Sequence, residues 1–109
     1  MTLPVRFHHD AAEELISGAA YYEAHRSNLG VEFIDRVNAA LRRVAAQPTR
    51  FMMIHTTPRG VNIHRAKIEP RRFRYVVIFA VLPTELAVMA VAHTSKQPGY
   101  WMSRLLDLP

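Results

Sequence analysis

Four side chains in the second half of the chain have the chemistry that RNA cleavage requires. His93 and Tyr100 can accept or donate a proton. Arg65 and Arg74 can stabilise the negative charge of a phosphorane, and such a reaction needs a base, an acid and cations. The sequence places no carboxylate near His93 as a second proton carrier, and suitable residue types without known geometry are a weak indication of catalysis. We therefore favour a structural role for His93 over a role at a nuclease site.

The same region carries a dense group of cations. Between residues 59 and 74 there are six Lys/Arg and a single acid, Glu69. The group could consist of solvated strand ends, whose charges discourage edge pairing. A solvated face usually mixes both signs, however, and the planar fork of arginine suits phosphate or carboxylate. We favour a surface that binds a partner; its candidate residues are Arg59, Arg65, Lys67, Arg71, Arg72 and Arg74, with Lys96 and Arg104 further along the chain.

Charge is unevenly distributed over the whole sequence. The 109 residues include 14 Lys/Arg and 9 Asp/Glu, a net charge of +5. Residues 1–50 carry six of each sign, so the entire excess lies in residues 51–109. This asymmetry predicts an anionic partner for the second half, which could be nucleic acid, an acidic protein segment or a phosphate-bearing surface.

Several classes of protein are disfavoured by composition. The absence of cysteine excludes disulfides, thiolate nucleophiles and cysteine-based zinc sites. The adjacent His8 and His9 would point to opposite sides of a strand, so we expect no metal and no cofactor. No apolar run is long enough to cross a bilayer or to act as a secretory signal. These features predict a cytoplasmic protein with a single domain over residues 1–109.

The first half of the chain predicts a strand and two helices. Residues 5–8 alternate as a strand does, and Asp10 followed by Glu13 has the spacing of a capping box that starts a helix near Ala11. A second helix ends before Pro48. The apolar stripe of the first helix is Ala12, Leu15, Ile16, Ala19 and Tyr22, and that of the second is Phe33, Ile34, Val37, Leu41, Val44 and Ala45.

The second half predicts three strands, at residues 61–68, 72–81 and 86–93, which form an antiparallel meander. Residues 52–54 would lie in a connection that covers the helix ends or lines a groove. Residues 100–106 predict a short C-terminal helix whose Trp101 closes the core. The fold class is therefore α+β, with an N-terminal strand and an antiparallel two-helix hairpin packed on a mostly antiparallel sheet.

Short pieces of sequence along nearly the whole chain resemble one known family. They are Phe7-His8, Ala11-Ala12-Glu13-Glu14-Leu15, Ala20-Tyr21-Tyr22-Glu23, Leu29-Gly30-Val31-Glu32-Phe33, Phe73-Arg74-Tyr75, Ala90-Val91-Ala92-His93, and Pro98-Gly99-Tyr100-Trp101 with Arg104. In this order and spacing the chain resembles the RelE/ParE toxin superfamily of type II toxin–antitoxin systems, and the ParE branch most. It departs from the family pattern at Arg74, where proline is frequent, and at Thr94-Ser95-Lys96, where the turn is usually more basic.

The resemblance implies a toxin of a two-gene pair, inactive while a segment of its cognate antitoxin wraps its helices and sheet. ParE-like members are associated with poisoning of DNA gyrase, and RelE-like members with cleavage of mRNA on the ribosome. We therefore expect a toxin–antitoxin hetero-oligomer with gyrase as the cellular target. A ribosome-dependent endoribonuclease and a non-toxic member that only binds its antitoxin remain the alternatives.

Overall fold

The computed structural model describes residues 2–70 and 72–109, which form two long helices and a five-stranded sheet. The strands are β1 (Val5–Phe7), β2 (Met52–Thr56), β3 (Asn62–Lys67), β4 (Tyr75–Val81) and β5 (Leu86–His93), and the helices are α1 (His9–His25) and α2 (Leu29–Ala46). A 3-10 turn (Pro48–Arg50) follows α2, and a 3-10 helix (Met102–Asp107) lies near the C-terminus. The α+β class is confirmed, and the predicted short C-terminal helix is of the 3-10 type.

The sheet has the strand order β1-β5-β4-β3-β2. The predicted meander of β3, β4 and β5 is confirmed, because β4 pairs antiparallel with both neighbours, although β4 begins at Tyr75 rather than Arg72 and β3 is one residue shorter at each end than predicted. β1 pairs in parallel with β5 at the edge of the sheet. The two-helix hairpin lies between β1 and the other four strands in the chain. None of the helices that the structure describes is both long and apolar enough to cross a membrane.

The edge strand β2 was not predicted by the sequence pattern. Met52, Met53 and Ile54 are all exposed, so the run lacks the alternation of apolar and polar residues that marks a half-buried strand. A register shift between Met53 and His55 further interrupts its pairing with β3. Backbone pairing, rather than burial of alternate side chains, therefore defines this strand.

The prediction that Asp10 caps α1 is wrong. The N-cap is His8, whose Nδ1 accepts a hydrogen bond from the Asp10 backbone N–H at 3.0 Å, so the helix begins at His9 rather than near Ala11. The His8 ring is held from its other side by Asp107, with Nε2 and Oδ2 2.6 Å apart. Because the cap lies earlier, Glu13 pairs with His9 one turn away instead of closing a capping box.

The two helices differ in how well their apolar stripes were predicted. In α1 the buried residues are Ala11, Gly18 and Tyr22, whereas Ile16 is 67% exposed, so its assignment to the stripe is wrong. In α2 the predicted stripe is confirmed at Phe33, Val37, Leu41, Val44 and Ala45, which are buried, whereas Ile34 is only half-buried. α1 has small and apolar residues on several sides, which makes its phase ambiguous in sequence.

A close approach of the helices explains the glycine at position 30. A Cβ built on Gly30 would lie 2.4 Å from the Ala19 carbonyl oxygen, so only glycine fits there without movement of the backbone. The Glu23 carboxylate accepts hydrogen bonds from the backbone N–H groups of Asn28 and Gly30, both at 2.9 Å. These contacts fix the turn between α1 and α2 and set the hairpin against the sheet.

The sheet separates two apolar layers. One layer lies between the sheet and the helix hairpin. On the other face, which we call the open face, the covering residues come from the C-terminal segment, residues 97–109, through Trp101, Leu105 and Leu108. A register shift between β4 and β5 places Met89 and Ala90 together on the open face. Val91 therefore lies on the helix side, and His93 follows at the end of the strand.

Candidate functional site

The most connected group of polar side chains joins α1 to the C-terminal segment. Glu14 Oε2 accepts a hydrogen bond from the Tyr100 hydroxyl at 2.6 Å. The Arg104 guanidinium donates to both carboxylate oxygens of Glu14, at 2.8 and 3.0 Å, and also to the Met89 carbonyl oxygen at 2.9 Å. The Val91 backbone N–H donates to Glu14 as well, at 3.1 Å. We call Glu14, Tyr100 and Arg104 the Glu14 network.

The electrostatics of the Glu14 network keep each group in one protonation state near neutral pH. Burial acts to raise the pKa of Glu14, but hydrogen bonds from Arg104, Tyr100 and Val91 outweigh it and hold that pKa below its ordinary value. The pKa of Arg104 is raised, mainly by its hydrogen bonds to Glu14. Burial and the bond to the Glu14 carboxylate raise the pKa of the Tyr100 hydroxyl well above its usual range. The network is therefore a charged pair with a neutral phenol.

The Tyr100 ring is held by cations as well. The Lys96 ammonium and the Arg104 guanidinium lie 5.4 and 5.2 Å from the ring centroid, within the range of a cation–π contact. With its hydroxyl on Glu14, Tyr100 is held at both its ring and its polar end. The sequence predicted a site role for Tyr100 and Arg104 but missed Glu14, because Glu14 is distant in sequence and only folding brings it to them.

His93 lies at the end of β5 next to this network. Its Nδ1 lies 2.7 Å from Ser95 Oγ and accepts the Ser95 backbone N–H at 3.1 Å, and its ring stands edge-on to Tyr75. A pocket of about 380 Å³ contains His93 together with Glu14 and Arg104, and with Asp10 and Glu13 on α1. Carboxylates thus do lie in the same pocket as His93, contrary to the expectation from its sequence neighbourhood.

The four residues of the nuclease hypothesis do not all line one cavity. Arg65, His93 and Tyr100 line a cavity of about 530 Å³ on the open face. Arg74 lines an adjoining cavity of about 540 Å³, which shares Arg65 with the first. Arg65 thus borders both cavities, while Arg74 lines only the second, although its carbonyl oxygen accepts the Thr94 backbone N–H at 2.8 Å, next to His93.

The remaining candidate cations are divided among different surroundings. Lys67, Arg72 and Arg74 line the same cavity as Arg65, although Arg72 also forms an ion pair with Glu32 of α2. Arg59 borders a separate small cavity beside the C-terminus. Lys96 is exposed on the turn after β5. Arg104 is largely buried in the Glu14 network, and the predicted Arg71 lies outside the described residues.

One group of side chains has the donor types that a metal ion could use. Ligand atoms of His9, Asp10 and Glu13 lie within 4.8 Å of one another on the exposed first turn of α1. His9 Nε2 already pairs with Glu13 at 3.4 Å, and all three residues are open to solvent. His8 is turned away toward Asp107, so the adjacent histidines do not share one site. The expectation that no metal is bound stays a prediction.

The strand, helix hairpin and antiparallel meander define a small basic α+β protein. Over residues 5–98 the sequence matches the family described as ParE toxin of type II toxin-antitoxin system, parDE. This span is most of the chain, so the protein belongs to the ParE toxin family, and the resemblance to the RelE/ParE superfamily is confirmed. Membership implies a cognate antitoxin as partner. No curated protein matches the sequence.

Proposed function

We propose that the protein is a toxin neutralised by its cognate antitoxin and that it acts by binding and inhibiting DNA gyrase. The family supplies the toxin class, and the gyrase target follows from the resemblance to ParE-like members. The observation that favours binding over RNA cleavage is the Glu14 network, which engages Tyr100, one of the two proton carriers that the nuclease hypothesis needs.

RNA cleavage requires proton transfer, and the Glu14 network makes Tyr100 unsuited to it. An efficient general acid or base has a pKa near the working pH. The raised pKa of Tyr100 makes its hydroxyl a poor acid and leaves almost no phenolate at neutral pH. Its hydroxyl proton is already donated to Glu14 at 2.6 Å. Tyr100 therefore acts as a structural hydrogen-bond donor in this proposal.

Stabilisation of the phosphorane charge is the second requirement of RNA cleavage. A phosphorane needs a cation whose charge is free, which excludes Arg104, paired with Glu14 at two points, and leaves Arg65 and Arg74 for that role. The cations on the open face, Arg65, Lys67, Arg74 and Lys96, have no carboxylate within ion-pair distance among the described residues. They are distributed along a surface rather than focused on one point, which suits association with a partner.

The test is a pair of reactions with purified toxin. Supercoiling of relaxed plasmid by gyrase should be inhibited, and mRNA on programmed ribosomes should stay intact. Lys96→Glu should weaken gyrase inhibition by about tenfold, equivalent to roughly 1.4 kcal/mol, because it reverses an exposed charge at the end of the sheet. Arg36→Glu, an equal charge reversal on the exposed side of α2, should change inhibition by less than about threefold.

Two results would replace this proposal. Cleavage of mRNA with supercoiling untouched would make the protein an endoribonuclease. Normal bacterial growth at verified expression, together with tight antitoxin binding and no effect in either reaction, would make it a non-toxic antitoxin-binding member.

A further inference from the structure

The two edge strands of the sheet differ in how well they are protected against pairing with another chain. β1 at one edge is three residues long and carries Arg6, which pairs with Glu85 at 2.6 Å. Short length and charge are two of the features that keep edge strands from pairing with other chains. β2 at the opposite edge has five residues and no Asp, Glu, Lys or Arg among them. Of the two edges, β2 is therefore the one that can accept a further strand.

β2 presents apolar side chains and unpaired backbone groups to solvent. Met52 and Met53 are 61% and 55% exposed. Ile54 has no partner on β3 and forms a bulge between Met53 and His55. Bulges are frequent at sheet edges near functional sites, where they re-aim a side chain. In the described part of the chain no strand lies beyond β2, so its outer N–H and C=O groups are free for a partner strand.

A buried histidine holds the start of β2 in place. His64 of β3 is buried, and its Nδ1 donates a hydrogen bond to the Phe51 carbonyl oxygen, just before β2, at 2.9 Å. Its Nε2 has no hydrogen-bond partner among the described residues, although it lies in the apolar layer where His64 stacks on Phe79. An unpaired polar atom in such a layer destabilises the fold. Local features that lower stability are expected mainly where an element serves a function.

The sequence around β2 contains cations and no acid. Between Asp35 and Glu69 there are seven Lys/Arg and no Asp or Glu. Arg50 precedes β2 and Arg59 lies in the turn that follows it, and both are exposed. Neither has a carboxylate within ion-pair distance among the residues that the structure describes. We call β2 together with Arg50 and Arg59 the β2 edge; it is complementary to an apolar segment flanked by carboxylates.

Two other occupants fit the β2 edge less well. Nucleic acid is bound mainly by contacts to phosphates and by stacking on aromatic rings. β2 instead exposes methionine and isoleucine, and the neighbouring Phe51 packs against the helix-side layer. A second copy paired antiparallel through β2 would bring Arg50 of one copy near Arg59 of the other. Each copy also carries a net charge of +5, so such a dimer is opposed by repulsion.

We propose that the β2 edge binds an extended, acidic segment of the target protein by strand addition. This inference rests on the proposed function, in which that target is gyrase. The partner strand pairs with the outer backbone groups of β2 and covers the exposed methionines, and its carboxylates pair with Arg50 and Arg59. Ile54 also borders the cavity that contains Lys96, so the contact is continuous with the cations of the open face.

The experiment measures how strongly purified full-length toxin variants inhibit supercoiling by purified gyrase. Met53→Glu places a carboxylate on the apolar part of the β2 edge, and Arg59→Glu reverses a charge at its end. Each should raise the toxin concentration for half inhibition by about tenfold or more, because a like charge then faces the acidic segment. The matched controls, Ile16→Glu on α1 and Arg36→Glu on α2, make the corresponding changes on exposed helix sites and should stay within about threefold. Circular dichroism verifies that all four variants are folded.

Amide hydrogen exchange of the wild-type complex with gyrase is a second measurement that needs no variant. Residues 52–56 should exchange more slowly in the complex than in the free protein, because strand addition pairs backbone groups that are otherwise open to water. The amides of residues 9–25 in α1 are the internal reference and should exchange at the same rate in both.

The outcomes separate the inference from the proposed function. If wild-type toxin does not inhibit gyrase, the proposed target and the inference are both wrong. If wild type inhibits gyrase but the folded Met53→Glu and Arg59→Glu variants inhibit it equally well, the inference alone is wrong. Unchanged exchange of residues 52–56 in the complex would also overturn strand addition.

Two further results would assign the β2 edge to another occupant and overturn the inference. One is a loss of antitoxin affinity in Met53→Glu and Arg59→Glu while gyrase inhibition is unchanged. The other is a wild-type dimer in sedimentation that Met53→Glu dissociates, again with unchanged inhibition. Weaker gyrase inhibition by both variants, with the two controls unaffected and slower exchange of residues 52–56 in the complex, would support the inference.

Discussion

Glu14 and Arg104, 90 positions apart in sequence, form a two-point ion pair that joins α1 to the C-terminal segment. Arg104 lies beyond residue 98, where the match to the ParE toxin family ends. The pair holds the C-terminal segment that lines the cavity of about 530 Å³ on the open face, because Tyr100 is bonded to the same carboxylate. Glu14 therefore fixes the position of that segment.

Removal of the Glu14 charge should destabilise the protein. In Glu14→Gln the Arg104 guanidinium, 13% exposed, loses its two-point counter-charge and keeps only the Asp10 carboxylate, 3.7 Å from its Nε. We expect a loss of about 2–3 kcal/mol in the free energy of unfolding, as for a charged hydrogen bond broken from one side. Urea denaturation measures it. Glu13→Gln, one position earlier on the exposed side of α1, is the control and should cost less than about 0.5 kcal/mol. Equal effects of the two changes would contradict the role of the network.

The same ion pair should make stability depend on pH in the acidic range. The pKa of Glu14 is lower in the folded than in the unfolded chain, so the ionised carboxylate stabilises the fold fully at a pH above the ordinary pKa of 4.5. The stabilisation is lost as the pH falls through the lower folded value. The difference in unfolding free energy between wild type and Glu14→Gln should therefore shrink from pH 7 toward about pH 3. A difference that stays constant over this range would show that the carboxylate charge contributes nothing.

Leu41→Ala tests the packing of α2. Leu41 is 6% exposed and lies in the layer between the helices and the sheet. Truncation should leave a cavity and cost about 2–5 kcal/mol, measured as a shift of the urea midpoint without a change in slope. Arg42→Ala, the exposed next residue, is the comparison and should have little effect. A cost below about 0.5 kcal/mol would mean that the cavity collapses or that Leu41 does not pack there.

Gly30→Ala tests the close approach of the two helices. At an exposed helical position alanine stabilises relative to glycine by about 1 kcal/mol. At Gly30 the added methyl would collide with the Ala19 carbonyl oxygen, at 2.4 Å, so the sign should reverse and stability should fall by about 1–3 kcal/mol. Thermal unfolding measures the change. An increase in melting temperature would show that the turn relaxes without cost.

The sequence was sufficient for most of the fold because the relevant patterns are local. The stripe of α2 follows the helical period, and β5 has the predicted bounds Leu86–His93. β2 and the start of α1 were missed for physical reasons. β2 is an exposed edge strand, and the N-cap of α1 is a histidine, His8, that does not belong to the usual capping residues.

The candidate site was less predictable because its geometry depends on contacts between distant parts of the chain. The sequence indicated Tyr100 and Arg104, but it gave no means to pair them with Glu14. The burial of Arg104 also changes its role, since its charge is satisfied inside the protein. The apolar surface on the open face also results from the register of β4 and β5, which places Ile78 opposite Ala90.

His93→Ala distinguishes the two mechanisms of toxicity. If the protein binds gyrase, the change should alter inhibition of supercoiling by less than about threefold, because His93 is only partly exposed and its Nδ1 is engaged by Ser95. If the protein is a nuclease, the change should lower the rate of mRNA cleavage by about 100-fold or more, as for loss of a general acid or base. His25→Ala, an exposed histidine at the end of α1, is the matched control for both reactions. Antitoxin binding by His93→Ala, measured in parallel, verifies that the variant is folded. We expect the first result. Gyrase inhibition would be excluded as the mechanism if the wild-type protein cleaves mRNA but leaves supercoiling unaffected, and if His93→Ala abolishes that cleavage.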